Sequence, residues 1–165
     1  MDYLPPILFV VLVLLLAFNY IELTNKLTAI EFVNKMGIGI NLGNSFDSYN
    51  ENVQEINNPD DQLTLYGNTV PTKNMILNIK KMGFKTVHLP ITWLNFIDQS
   101  GIVNSDWMFR IKEVVKWIIN YNMYCIINVH HDGKKGNWLS QGIDSKEKYE
   151  ILWEQIGNEF KDFNE

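Results

Sequence analysis

Two imidazoles, a carboxylate, two carboxamides and an indole crowd one short stretch, INVHHDGKKGNW. Asn128, His130, His131, Asp132 and Trp138 all follow the apolar run that begins at Tyr124. Similar groups follow two earlier apolar runs. Asn41, Asn44 and Asp47 stand in INLGNSFD, and His88 with Trp93 in VHLPITW. Imidazoles and carboxylates can ligate a metal or move protons. Amides, imidazoles and indoles can hold a hydroxyl-rich ligand, by hydrogen bonds to its hydroxyls and by packing on its apolar faces.

The metal reading is the weaker one. Neighbouring residues on a strand point to opposite faces, so His130 and His131 converge on one ion only where the strand has ended. A zinc site takes three or four protein ligands, and His88, one of the pair and Asp132 would have to be gathered from separate segments. The single cysteine, Cys125, excludes a cysteine-built zinc site and an internal disulfide. Its place inside an apolar run makes it a small buried hydrophobe. No metal and no cofactor is expected. A sugar cleft, by contrast, uses every group. Trp93, Trp138, Tyr66 and Phe46 stand in loops, where each ring either faces a ligand or packs. Trp107, Trp117 and Trp153 stand on or beside helices and read as core.

The elements that must position these groups alternate. TAIEFVNKM reads as a helix stopped by Gly37, and GIGINLGN as a first strand. Residues 47–70 are polar and read as a long loop, a length that usually carries function. Pro71 suits the first turn of a helix whose Met75, Ile76, Ile79 and Met82 form one face, with Gly83 as its stop. KTVHLPI is the second strand. Ile111, Val114, Val115 and Ile118 fall at helical spacing, and YCIINV is the third strand. Asp144, with Glu147 three residues on, reads as the cap of a last helix through Phe163. Apolar strands alternating with helices predict a parallel sheet covered on both faces, with right-handed crossovers. Either an open doubly wound sheet or part of a barrel fits, since a complete eight-unit barrel takes ~250 residues. The candidate groups then share the carboxyl ends of three parallel strands, where such folds build their sites. Gly37, Gly39 and Gly43 run G-x-G-x-x-x-G, which is not the dinucleotide fingerprint, and no phosphate-loop lysine is present.

The chain has 165 residues, enough for one ordinary domain, and 46% of them are apolar, which argues against disorder. A net charge of −5 gives no basic footprint for nucleic acid. Residues 7–18, ILFVVLVLLLAF, are unbroken apolar sequence. They are short for a membrane span, which needs ~20 residues, and suit a signal-peptide core. Asp2 stands where a basic flank is usual, and a tilted span over residues 4–21 is the alternative. Residues 1–24 are therefore expected to be a signal peptide or a membrane anchor. Residues 25–165 form the folded part, secreted or held at the extracellular face.

Four blocks in order, MGIGINLGNSFDS, YGNTVPTKNMILNIKKMGFKTVHLPITW, RIKEVVKWIINYNMYCIINVHHDG and NWLSQ with KYEILWEQIGNEFKDFNE, resemble the first half of glycoside hydrolase family 5 enzymes. The likeness is closest to the endo-β-1,4-glucanase (cellulase) branch, and it covers about residues 28–165. It implies a partial (β/α)8 TIM barrel of about three units, acting on a β-1,4-linked glucan. It also implies retaining hydrolysis by two glutamates about 5 Å apart. Neither glutamate is expected within this chain. Asn164-Glu165 matches the family's catalytic Asn-Glu pair by letters only, because no fourth strand precedes it. The remaining barrel is thus an expected partner. The resemblance makes His130 and His131 neighbours of the sugar and of the catalytic carboxylates. It makes Asn41, Asn44 and Asp47 the cleft floor and Trp138 a ring that lines a sugar subsite; Trp93, from its place in a loop, is expected to bind substrate beside them.

His88 departs from the pattern. The resemblance implies arginine there, holding the nucleophilic carboxylate ionised and in place. Arginine is always charged and grips a carboxylate by two parallel hydrogen bonds. Histidine is shorter, and its ordinary titration falls near pH ~6.5. Weak hydrolysis, or hydrolysis favoured at lower pH, is the expectation. A sugar-binding relative without catalysis, held at a membrane, is the alternative.

Overall fold

A computed structural model describes residues 27–49, 58–130 and 143–163. His131, Asp132, Trp138 and the apolar residues 7–18 lie outside them. The chain divides into two compact units, Met1–Lys35 and Met36–Glu165.

α1 spans Ala29–Met36, all but its last residue in the first unit. Thr28 and Glu31 close its amino end as a capping box. The Thr28 hydroxyl accepts from Glu31 N at 3.3 Å, and the Glu31 carboxylate accepts from Thr28 N at 2.9 Å. These Thr28 hydrogen bonds, the backbone one foremost, hold the Glu31 carboxyl below its ordinary range, and Lys35 adds to the effect.

The second unit is a three-stranded parallel sheet in the order β1-β2-β3 with helices on one side. β1 is Gly39–Asn41, β2 Thr86–Leu89 and β3 Tyr124–Ile127. Each crossover carries helix: α2 (Pro59–Leu63) and α3 (Lys73–Lys81) between β1 and β2, and α4 (Ser105–Asn120) between β2 and β3. α5 (Ile143–Phe160) follows β3. Gly37, at φ 58°, turns the chain into β1; a Cβ there would meet Lys85 Cδ at 2.9 Å.

Register follows the alternation of side chains. Ile40, Val87 and Cys125 are Cα partners on one face, and Asn41, His88 and Ile126 on the other. The first face is the core side. Val87 and Leu89 pack with Ile76 of α3, Ile111, Val114 and Ile118 of α4, and Leu152 of α5, all fully buried. Phe96 stacks on Trp107 with ring centroids 4.3 Å apart, and Phe46 tilts against the same indole at 5.3 Å. The second face is not covered by described residues along its outer strands: Asn41 and Ile126 are exposed. Among the described residues that face is closed at Thr86, which is buried, and open at Asn41 and Ile126.

Three local readings change. Residues 47–70 are not all loop, because α2 lies among them. Asn58 caps it, accepting from Asp60 N at 3.0 Å, and Pro59 takes its first position. Pro71 lies before α3 rather than in its first turn; Thr72 is the cap, its hydroxyl accepting from Met75 N at 3.3 Å. α5 begins at Ile143, one residue ahead of Asp144, the expected cap.

Candidate active site

The open face gathers the candidate groups at the carboxyl ends of the strands. Asn41 is the register partner of His88. Beyond β3 the chain stays beside β2, since His130 N donates to Ile91 O at 2.8 Å. Two-residue alternation then returns Asn128 and His130 to the side of Ile126 and His88. The result is an edge-to-face pair of imidazoles, His88 and His130, with ring centroids 6.2 Å apart. Asn128 reaches the same place, its Nδ2 standing 3.2 Å from His130 Nδ1. His88 is half-buried and His130 exposed, so the pair is open to a ligand from the His130 side.

The loop after β1 carries Asn44 and Asp47. Asn44 adopts a left-handed φ of 61°, a region that asparagine tolerates. Its carbonyl accepts from Asn68 Nδ2 at 2.7 Å. The Asn41 amide lies over Gly43, where a Cβ would stand 2.9 Å from Asn41 Nδ2 and 3.8 Å from Asp47 Oδ2. Asp47 is buried, and its Oδ1 accepts from Ser45 N at 3.0 Å. Its Oδ1 thereby holds the backbone of the turn.

Gln62 is the residue that sequence reasoning missed. It is fully buried on α2. Its Nε2 donates to Phe46 O at 3.2 Å and Thr92 O at 3.3 Å, and its Oε1 accepts from Asn95 Nδ2 at 2.9 Å. Thr92 adds a bond from its hydroxyl to Asp47 O at 3.3 Å. One carboxamide thus ties the loop after β1 to the loop after β2. The only sequence signal for it was the Asn58-Pro59 start of a helix within an apparent loop.

Trp93 corrects an expectation. It is fully buried, and its indole N–H donates to Asn128 O at 3.0 Å. It packs within the core rather than standing out as an exposed platform. Phe46 is likewise fully buried. Tyr66 remains exposed, and its hydroxyl exchanges hydrogen bonds with Tyr49 N and O at 3.0 and 2.8 Å. His131 and Trp138 lie outside the described residues. Among the described residues, no three metal-ligating groups converge. What the face offers is amide and imidazole hydrogen bonding around an open strand-end, suited to hydroxyls and to oxyanions.

Known proteins are similar to this chain in sequence and fold. The family Cellulase (glycosyl hydrolase family 5) matches residues 44–165. Endoglucanase A of Clostridium longisporum is 37% identical over 149 residues, covering 88% of this chain and 28% of that protein. A solved broad-specificity GH5-4 endoglucanase from an uncultured bovine rumen ciliate is 58% identical with a TM-score of 0.79, over 86% of this chain and 39% of its own. A broad-specificity GH5-4 endoglucanase from Ruminococcus champanellensis, solved with bound cellotriose, is 31% identical with a TM-score of 0.78, over 84% and 41%. The chain thus spans well under half the length of these relatives. Its parallel β-α units are part of a (β/α)8 barrel, and the chain belongs to glycosyl hydrolase family 5, the cellulase family.

Proposed function

We propose that this chain is the amino-terminal part of a retaining endo-β-1,4-glucanase. The observation that carries the reading is the row formed by Asn41, His88 and His130 on one open face at the strand ends. The bound cellotriose of the Ruminococcus champanellensis relative supports a β-1,4-glucan as ligand. In this reading the chain binds and orients sugar, while the acid/base and nucleophilic glutamates come from later strands of the barrel. Asn41 and His130 hydrogen-bond sugar hydroxyls, with His131 and Trp138 beside them. His88 takes the arginine's place near the nucleophile. Residues 1–24 direct the chain out of the cytosol, by cleavage or as an anchor.

The test uses the longest natural polypeptide that contains this chain. Incubated with carboxymethyl cellulose, xyloglucan and cellotetraose, it should release reducing ends with retained anomeric configuration. Residues 1–165 alone should release none. Binding of cellotetraose without hydrolysis by the longest form would instead favour the sugar-binding reading, which His88 motivates. Fractionation of the source cells checks the export reading, and a cytosolic product would refute it.

A further inference from the structure

Two stretches lead from helix back into strand, residues 80–85 and 119–124. They hold Lys80, Lys81 and Lys85 and no carboxylate. Lys80 Nζ donates to Asn122 O at 3.1 Å, which ties the end of α3 to the turn before β3. Lys81 and Lys85 are exposed. Between them Met82 ends α3 and is 65% exposed. α5 finishes at the same end of the sheet. There Glu159 is paired with Lys112, and Lys161 stands next to Asp162, so the charge of the turns is not cancelled.

The opposite end has the reverse sign. The crossovers that leave β1 and β2 carry Asp60, Asp61, Asp98 and Asp106. The cations near them are Lys73 and Arg110, and Arg110 is already paired with Asp60 and Glu113. Lysines in the last turn of a helix favour its dipole, which accounts for Lys80 and Lys81. It does not account for Lys85, which stands past the helix, or for a methionine held in water between two cations. Cations interleaved with an exposed apolar side chain suit a lipid headgroup layer. The charges meet phosphates while the apolar group enters the acyl boundary.

The path of the chain agrees with this. Upstream residues join the second unit at Met36, whose carbonyl accepts from the Thr86 hydroxyl at 2.7 Å, and Lys85 N donates to Ile38 O at 2.9 Å. The apolar run at residues 7–18 is therefore attached at the lysine-bearing end.

We propose that the turn after α3, with Lys81, Met82 and Lys85 at its centre, docks on an anionic lipid bilayer. The strand-end site then faces away from the bilayer, open to a polymer. That this bilayer is the one across which residues 1–24 direct the chain rests on the export reading; the docking does not.

The experiment places an environment-sensitive fluorophore on Met82→Cys in the longest natural polypeptide. The unaltered polypeptide, taken through the same labelling, is the blank. Vesicles are phosphatidylcholine alone, or phosphatidylcholine and phosphatidylglycerol in equal parts. The emission should shift to the blue with the mixed vesicles only. The same label on Ser105→Cys, at the amino end of α4, should not shift. Lys81→Glu with Lys85→Glu should lower partition onto the mixed vesicles about 25-fold, since each lysine near such a surface contributes about fivefold. Salt at about 1 M, which screens charges beyond ~3 Å, should abolish the shift in the parent. No shift at residue 82, an equal shift with neutral vesicles, or partition unchanged by the lysine substitutions overturns the proposal. A spectrum that moves with dextran sulfate and not with vesicles assigns the face to an acidic polysaccharide and overturns it too. Cell fractionation plays no part in this readout, so the export reading and the docking fail separately.

Discussion

At the scale of single residues, His88 is the position where this chain departs most from what its family resemblance implies. It lies in register with Asn41 and edge-to-face with His130. Arginine would restore a permanent charge and a two-point grip. His88→Arg in the longest natural polypeptide should raise kcat on a β-1,4-glucan severalfold; a kcat that does not rise would sink this assignment. Cys125 makes a separate prediction. Cys125 is half-buried, but its packing against the apolar core desolvates the thiol and pushes it from an ordinary 9.0 up to about 12. The folded state keeps a proton that the unfolded state releases above pH ~9. The contribution to stability is therefore full below that pH and is lost as pH rises toward 12. The native thiol should resist iodoacetamide at pH 8 and react once urea unfolds the chain. Rapid native alkylation would contradict it. Residue chemistry was legible in the sequence, while residue exposure was not. Trp93 and Phe46 stand in loops like Tyr66, yet only Tyr66 stays exposed, because the first two fall over Asn128 and Trp107.

At the scale of elements, the strands and long helices were legible because their apolar spacing is strong. The short α2 was hidden in a polar loop, since five residues carry too few turns to show a period. Its job is visible only in space, where Gln62 joins the loop after β1 to the loop after β2. Gln62→Ala would leave the Phe46 and Thr92 carbonyls and the Asn95 amide with a lost partner. The expected cost is ~1–3 kcal/mol in unfolding free energy by urea titration. Gln62→Glu, which keeps the shape but loses the donors, should restore little of it. A loss below about 0.5 kcal/mol for Gln62→Ala, the scale of an ordinary surface change, would show that the hub is not needed.

At the scale of the whole molecule, β1 and β3 are the outer strands of the sheet, and Ile38 and Ile126 are 74% and 42% exposed. Outer strands with exposed apolar groups invite pairing with other chains. Residues 1–165 made alone should therefore self-associate or fold only in part. A monomer by sedimentation velocity with one cooperative thermal transition would refute this. The sequence by itself determined the alternation of strands and helices, the apolar faces and the polar strand-ends, because these depend on local spacing and residue chemistry. It also carried the family blocks. Only the tertiary structure decided which groups meet. The parallel register sets Asn41 beside His88, the continuation of β3 along β2 brings His130 to it, and a buried glutamine on a hidden helix holds the loops beneath. Those pairings join residues far apart in the chain, and no local pattern records the distance between them.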